Sequence, residues 1–259
     1  MTNYHTLTIT DCAEEAGQIT RKNTADPKGT CIIEIDAGCR FNMFGGEITG
    51  LDSSENSAPY PTAVSNRGTF NLCGGKITGN KSHAVYNENA TMNLYGGEIS
   101  GNTANGGGGV AIIGSTMVMN NGTISNNSTY RTSGQGSYGA GVYVADYANS
   151  SGGDTLFTAT PASFEMNGGK ITENKALDYG GGVVTFPQYS KKITININNG
   201  EISGNKVTGG SGGAVAAFFG VTELNIKDGT LTGNSARSYG GGVFLYDATN
   251  VTISGGTIS

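Results

Sequence analysis

Apolar and polar residues alternate along most of this 259-residue chain, and the pattern returns eight times. The copies are FNMFGGEITG from Phe41, FNLCGGKITG from Phe70, MNLYGGEISG from Met92, MVMNNGTISN from Met117, FEMNGGKITE from Phe164, ININNGEISG from Ile195, LNIKDGTLTG from Leu224 and VTISGGTIS from Val251. Their last glycines are Gly46, Gly75, Gly97, Gly122, Gly169, Gly200, Gly229 and Gly256. Five and three residues before this marker glycine the side chain is apolar, and two after it stands Ile or Leu. Apolar residues at period two predict strands with one buried face, and the glycine between them predicts a tight corner. The markers lie 29, 22, 25, 47, 31, 29 and 27 residues apart. That is the spacing of solenoid turns whose loops absorb the variation.

Two further positions complete the turn. Five residues past the marker comes Asn80, Asn102, Asn127, Asn174, Asn205 or Asn234 in six copies. Stacked turns place these amides one above another, where they bond as a ladder and satisfy the backbone groups of the corner. A second apolar strand then begins at Val64, Val85, Val110, Val142, Val183, Val215 and Val243, and glycine clusters run directly into the later ones. Each turn buries its apolar residues only against its neighbours, at about 4.8 Å per rung. The predicted fold is all-β, a right-handed parallel β-helix (solenoid) of about eight coils. Residues 1–40 read as an N-terminal coil or cap region and 41–259 as the repeats. The 47-residue interval holds one Val-led strand, so it is one turn with expanded loops, including the insert YANSSGGDTLFTATPAS.

The phrases GNTANGGGGV, ENKALDYGGGVV and GNSARSYGGGVF resemble the NxA…GGG repeats of bacterial β-helix surface proteins, among them the polymorphic outer-membrane proteins. Those repeats carry FxxN and GGAI-type motifs. The matching elements here are IxxN or LxxN (Ile77 to Asn80, Leu231 to Asn234) and GGxI, with Ile or Leu in place of Phe. More broadly the chain resembles the pectin-lyase-like superfamily. The resemblance implies a secreted or cell-surface setting, and either adhesion and binding or action on polysaccharides.

Composition narrows the classes. The net charge is −5 and the 15 Lys and Arg are scattered singly, which argues against a nucleic-acid partner. No run of 18 apolar residues predicts a membrane span. The start, MTNYHTLTIT, lacks the basic and apolar regions of a signal peptide, and VTISGGTIS stops within a repeat, so both ends read as cut from a longer protein. Cys12, Cys31, Cys39 and Cys73 form no CxxC, and only His5 and His83 exist, so no metal site is predicted. A disulfide among the first three and isolated apolar thiols both suit the spacing. The GGGG from Gly106 is followed by no GK[ST], and no cofactor motif is present.

Catalytic residues are harder to find than binding residues. Asp146 and Asp247 hold equivalent places three coils apart, roughly 14 Å at one strand spacing per coil. Paired glycosidase carboxylates need about 5 to 9.5 Å, so stacking does not pair them. The residues after the marker (Glu47, Lys76, Glu98, then Lys170, Glu201) read as cross-strand ion pairs on a solvated face. Cys73 is expected to point outward in a column with Phe44 and Tyr95, and His83 to be a corner residue. The loop acids Asp154 and Asp178 are what remains for a polysaccharide lyase or hydrolase, and an ice-binding face would need a TxT column that is missing. The stronger candidate is an outward aromatic face. Alternation from each Val places Tyr143, Phe186, Phe218, Phe244 and Tyr246 outside, together with Tyr86, Ile113 and Val184; Tyr138, Tyr179 and Tyr239 form a second column broken at Ser211. Such a face suits a host protein or a glycan.

Overall fold

The computed structural model describes residues 6–10, 17–20, 31–52, 62–130, 136–149, 158–188, 191–219, 222–247 and 250–259. The chain is a parallel β-solenoid with three sheet faces. Nine parallel strands form the first face, from Thr6–Ile9 to Asn250–Ile253, and nine the second, from Gln18–Thr20 to Thr257–Ile258. Eight form the third, from Cys31–Ile35 to Val243–Tyr246, and a short five-stranded strip follows the asparagine corner.

Strand register explains why the repeat is spelled as it is. Phe41, Phe70, Met92, Met117, Phe164, Ile195 and Leu224 are partners in successive turns of the first face. Ile48, Ile77, Ile99, Ile124, Ile171, Ile202 and Leu231 are partners on the second. Val64, Val85, Val110, Val142, Val183 and Val215 are partners on the third. All are buried in one continuous core. Like side chains therefore stack on like, as in Phe41 and Phe70, whose rings lie 5.2 Å apart and nearly parallel.

The asparagine ladder forms as the spacing predicts. The Nδ2 of each residue donates to the Oδ1 of the next, at 2.9 Å from Asn80 to Asn102, 3.0 Å to Asn127, 3.1 Å to Asn174, 3.0 Å to Asn205 and 2.9 Å to Asn234. The backbone N–H of each rung donates to the same Oδ1. A second ladder lies on the outer side of the first face, where Asn71 donates to Asn42 and Asn93 to Asn71.

Thr116–Met119 pairs directly with Ser163–Met166, so the 47-residue interval is a single turn. Its extra length returns through an antiparallel pair, Tyr147–Asn149 with Thr158–Thr160. The N-terminal region is already solenoid: Thr6–Ile9 and Gln18–Thr20 pair with the strands flanking Gly46. No disulfide joins Cys31, Cys39 and Cys73. Cys12 lies outside the described residues.

Glycine is demanded by close approach as well as by backbone angle. At Gly75 φ is +82° and a Cβ would sit 2.6 Å from the Gly46 carbonyl oxygen one turn earlier. At Gly180, which opens the GGG cluster, φ is +63° and a Cβ would meet the Val184 Cβ at 2.4 Å. Gly180→Ala is expected to cost about 2 kcal/mol in urea unfolding, for left-handed strain plus the clash. Gly106→Ala, with no positive φ and its nearest neighbour at 3.4 Å, should stay within about 0.5 kcal/mol of the parent. Equal costs would refute the steric account.

Candidate binding face

The glycine clusters assemble the aromatic face. Because Gly180 curls against Val184, the residue before it, Tyr179, is carried over the outer side of the third sheet. The same curl at Gly139, whose Cβ would meet Val184 Cγ1 at 2.7 Å, carries Tyr138 there. Tyr138 and Tyr179 are bridged in register, and Ser211 continues the column. The outward strand positions Val184, Ala216 and Phe218 form an apolar cluster of their own beneath Tyr138, Tyr143, Tyr179 and Phe244. A second outer cluster holds Ala111, Ile113 and Ala145 against Tyr86 and Tyr143.

Most rings spend their faces on one another. Tyr138 stacks on Tyr179 at 5.9 Å and on Phe186 at 4.9 Å. Tyr179 lies near-parallel to Phe244 at 6.4 Å, and Phe244 to Tyr239 at the same separation. The gap left by Ser211 and Ala216 is filled by Phe218, which meets Tyr179 edge-on at 4.8 Å.

The eight aromatic residues expected to form a binding face therefore divide. Tyr138, Tyr143, Tyr179, Phe186 and Phe244 are half-buried. Phe218 does leave the sheet on its outer side, but it is buried beneath its neighbours rather than exposed, and so are Val184 and Ile113. Tyr239 is 70% exposed and Tyr246 55%. They are joined by Phe219, 39% exposed, which strand alternation did not single out. Its backbone is left-handed, with φ 62°, so it falls outside the period-two pattern.

The candidate acids Asp146 and Asp178 both accept hydrogen bonds from backbone N–H groups. Asp146 is buried and accepts hydrogen bonds from the backbone N–H groups of Gln188 and Lys191. Asp178 accepts from the Ser137 N–H at 2.9 Å. Asp154 lies outside the described residues. Lys76 pairs with Glu98 at 3.4 Å and Lys170 with Glu201 at 2.9 Å. The Ser100 and Ser203 hydroxyls, then these lysines, hold both carboxyls below the usual range. Such exposed pairs contribute little, and Lys170→Met should change stability by less than about 0.5 kcal/mol in thermal unfolding, a larger loss counting against this reading.

A groove of about 930 Å³ follows the corner between the third and first faces, lined by Arg40, Arg67, Thr69, Thr91, Thr116 and neighbours without a carboxylate. Arg67 is engaged by Glu88 at 3.0 Å and Glu34 at 3.3 Å. Cys73 is half-buried in register between exposed Phe44 and Tyr95, and burial pushes its thiol up. His83, expected at a corner, opens the strand His83–Glu88 and is buried, with Nδ1 3.1 Å from the Gly107 carbonyl. Among the described residues no cluster of His, Cys, Asp or Glu is arranged to hold a metal. Comparison of the chain with known protein families, with curated proteins and with solved structures returns no match.

Proposed function

We propose that the chain is a non-catalytic, adhesin-like β-solenoid module of the right-handed, pectin-lyase-like kind, working outside the cell or on its surface and binding a host protein or glycan. The observation that carries this is the aromatic layer on the outer side of the third sheet, from Tyr138 and Tyr179 through Phe186 to Phe219 and Phe244. That layer is anchored on a rigid sheet, so the exposed rings lose little freedom on binding. The described acids support a binding role over a hydrolytic one, because Asp146 and Asp178 are committed to backbone N–H groups.

The test is a glycan panel and a panel of purified surface proteins, probed with the parent and with Tyr138→Ser/Phe186→Ser/Phe219→Ser. Retention by the parent, loss in the triple variant and unchanged circular dichroism are expected. Equal retention by both proteins, or release of new reducing or unsaturated glycan ends, would overturn the proposal.

A further inference from the structure

Charges that meet across neighbouring turns are opposite, with one exception. Glu47 faces Lys76, Lys76 faces Glu98, Asp52 faces Lys81 and Lys170 faces Glu201. On the short strip after the asparagine corner, Lys175 instead faces Lys206. Like charges directly opposite destabilise a sheet, so this pair calls for an anion that the chain itself does not supply. Both lysines are exposed, and neither joins an ion pair among the described residues. Glu173, two residues before Lys175, lies against Gly204 and joins none either. Ser128 and Ser235 flank the pair in the same column, so a further turn lies on either side of it. An aromatic ring stands close by. Tyr130, two residues past Ser128, is 42% exposed and stacks on no other ring among the described residues. Because Ser128 is the register partner of Lys175, Tyr130 is its diagonal neighbour, about 7–8 Å away and within reach of a long side chain.

We infer that this strip binds a sulfated sugar, with the sulfate between Lys175 and Lys206 and the sugar ring on Tyr130. The inference goes beyond the binding role proposed above, since it uses none of the residues of the aromatic layer. Two ammonium groups one rung apart, about 4.8 Å, hold sulfate oxygens through charge-assisted hydrogen bonds and lose their mutual repulsion. The free tyrosine face takes the apolar C–H face of a pyranose. A bare inorganic anion would satisfy the lysines but leave the ring idle. A nucleic-acid strand would bring a long run of phosphates onto a chain of net charge −5, which repels it beyond the lysine pair.

The experiment titrates the full chain by calorimetry with a heparin hexasaccharide, its desulfated counterpart, sodium sulfate and a DNA oligonucleotide of equal charge. Saturable binding of the heparin hexasaccharide alone is expected, with an affinity that falls as salt rises. Lys175→Gln and Lys206→Gln should each weaken it by roughly tenfold or more, and Tyr130→Ser by about fivefold. Lys206→Glu sets an acid against Lys175, as Glu201 is set against Lys170. It should lose binding yet unfold at no lower urea concentration than the parent, which separates loss of the site from loss of the fold. Tyr138→Ser/Phe186→Ser/Phe219→Ser should bind the hexasaccharide as the parent does, so heparin is read apart from the glycan panel. No binding of the hexasaccharide, equal affinity for the desulfated sugar or the DNA, or parent-like binding by the lysine variants would overturn the inference. Saturable binding of sodium sulfate with no gain from the sugar would reduce the strip to an anion site and overturn it too. Loss of heparin binding in the aromatic-layer variant but not in the lysine variants would move the site to the third sheet, leaving the binding role in place and this inference wrong.

Discussion

Asn127→Ala is expected to destabilise the solenoid by about 4 kcal/mol, because two buried polar groups lose partners at about 1–3 kcal/mol each. The Asn127 Nδ2 donates to the Ile99 carbonyl at 2.9 Å and to Asn174 Oδ1 at 3.1 Å. Its Oδ1 accepts from both the N–H and the Nδ2 of Asn102, each at 3.0 Å. Truncation strands the Ile99 carbonyl and the Asn102 backbone N–H in a fully buried corner, while Asn102 Nδ2 keeps the Ile77 and Ser100 carbonyls. Asp at the same place should be worse, since it removes the donor and sets a carboxylate against Asn174 Oδ1. Position should modulate the effect. Asn234 is half-buried at the end of the ladder, so Asn234→Ala should cost less, on the order of 2 kcal/mol. Asn71 on the outer first-face ladder is half-buried, and water can replace its partner; Asn71→Ala should stay below about 1 kcal/mol. Urea unfolding of the three variants provides the comparison. A cost for Asn127→Ala no larger than that for Asn71→Ala would mean that the inner ladder is not what holds the corner.

The inner ladder was legible in the sequence because solenoid stacking turns a fixed distance from a marker glycine into a column in space. The period-two core was legible for the same reason, since inward positions meet only their own equivalents. The first turn was hidden, although Gly17-Gln18-Ile19-Thr20 repeats the marker pattern, because residues 11–16 separate it from Thr6–Ile9. The aromatic face was only half legible. Alternation tells which side of a strand a residue leaves from, and Phe218 and Val184 do leave from the outer side. It does not tell what lies above them, and here the curl at Gly139 and Gly180 swings tyrosines over the sheet. Phe219 escaped because its left-handed backbone breaks the alternation. Asp146 kept the look of a candidate acid because the amides it holds lie 42 and 45 residues away, in a loop with no repeat signature.

Acid should weaken the fold through His83 well before the carboxylates titrate. His83 opens the strand His83–Glu88 and lies in register with Thr62 of the preceding turn. Its ring is buried edge-on to Tyr86 at 5.7 Å, with Nδ1 donating to the Gly107 carbonyl in the neutral form. Burial lowers its pKa from 6.5 to about 4, an effect that the Gly107 bond only partly offsets. The neutral imidazole is therefore the folded form, whereas the unfolded chain takes up a proton as pH drops below about 6.5. Stability is fully present above that pH, declines as pH falls from about 6.5 to 4, and has lost about 3 kcal/mol once the folded state also binds the proton. The carboxyls of Glu98 and Glu201 sit below their ordinary range, so their own contribution is lost only at lower pH. The measurement is the urea unfolding free energy of the parent and of His83→Gln at intervals from pH 7.5 to 4.5. The glutamine variant is expected to be flatter across this window, with the two curves converging as pH falls. Parallel curves would show that His83 is hydrated in solution and that acid sensitivity arises elsewhere.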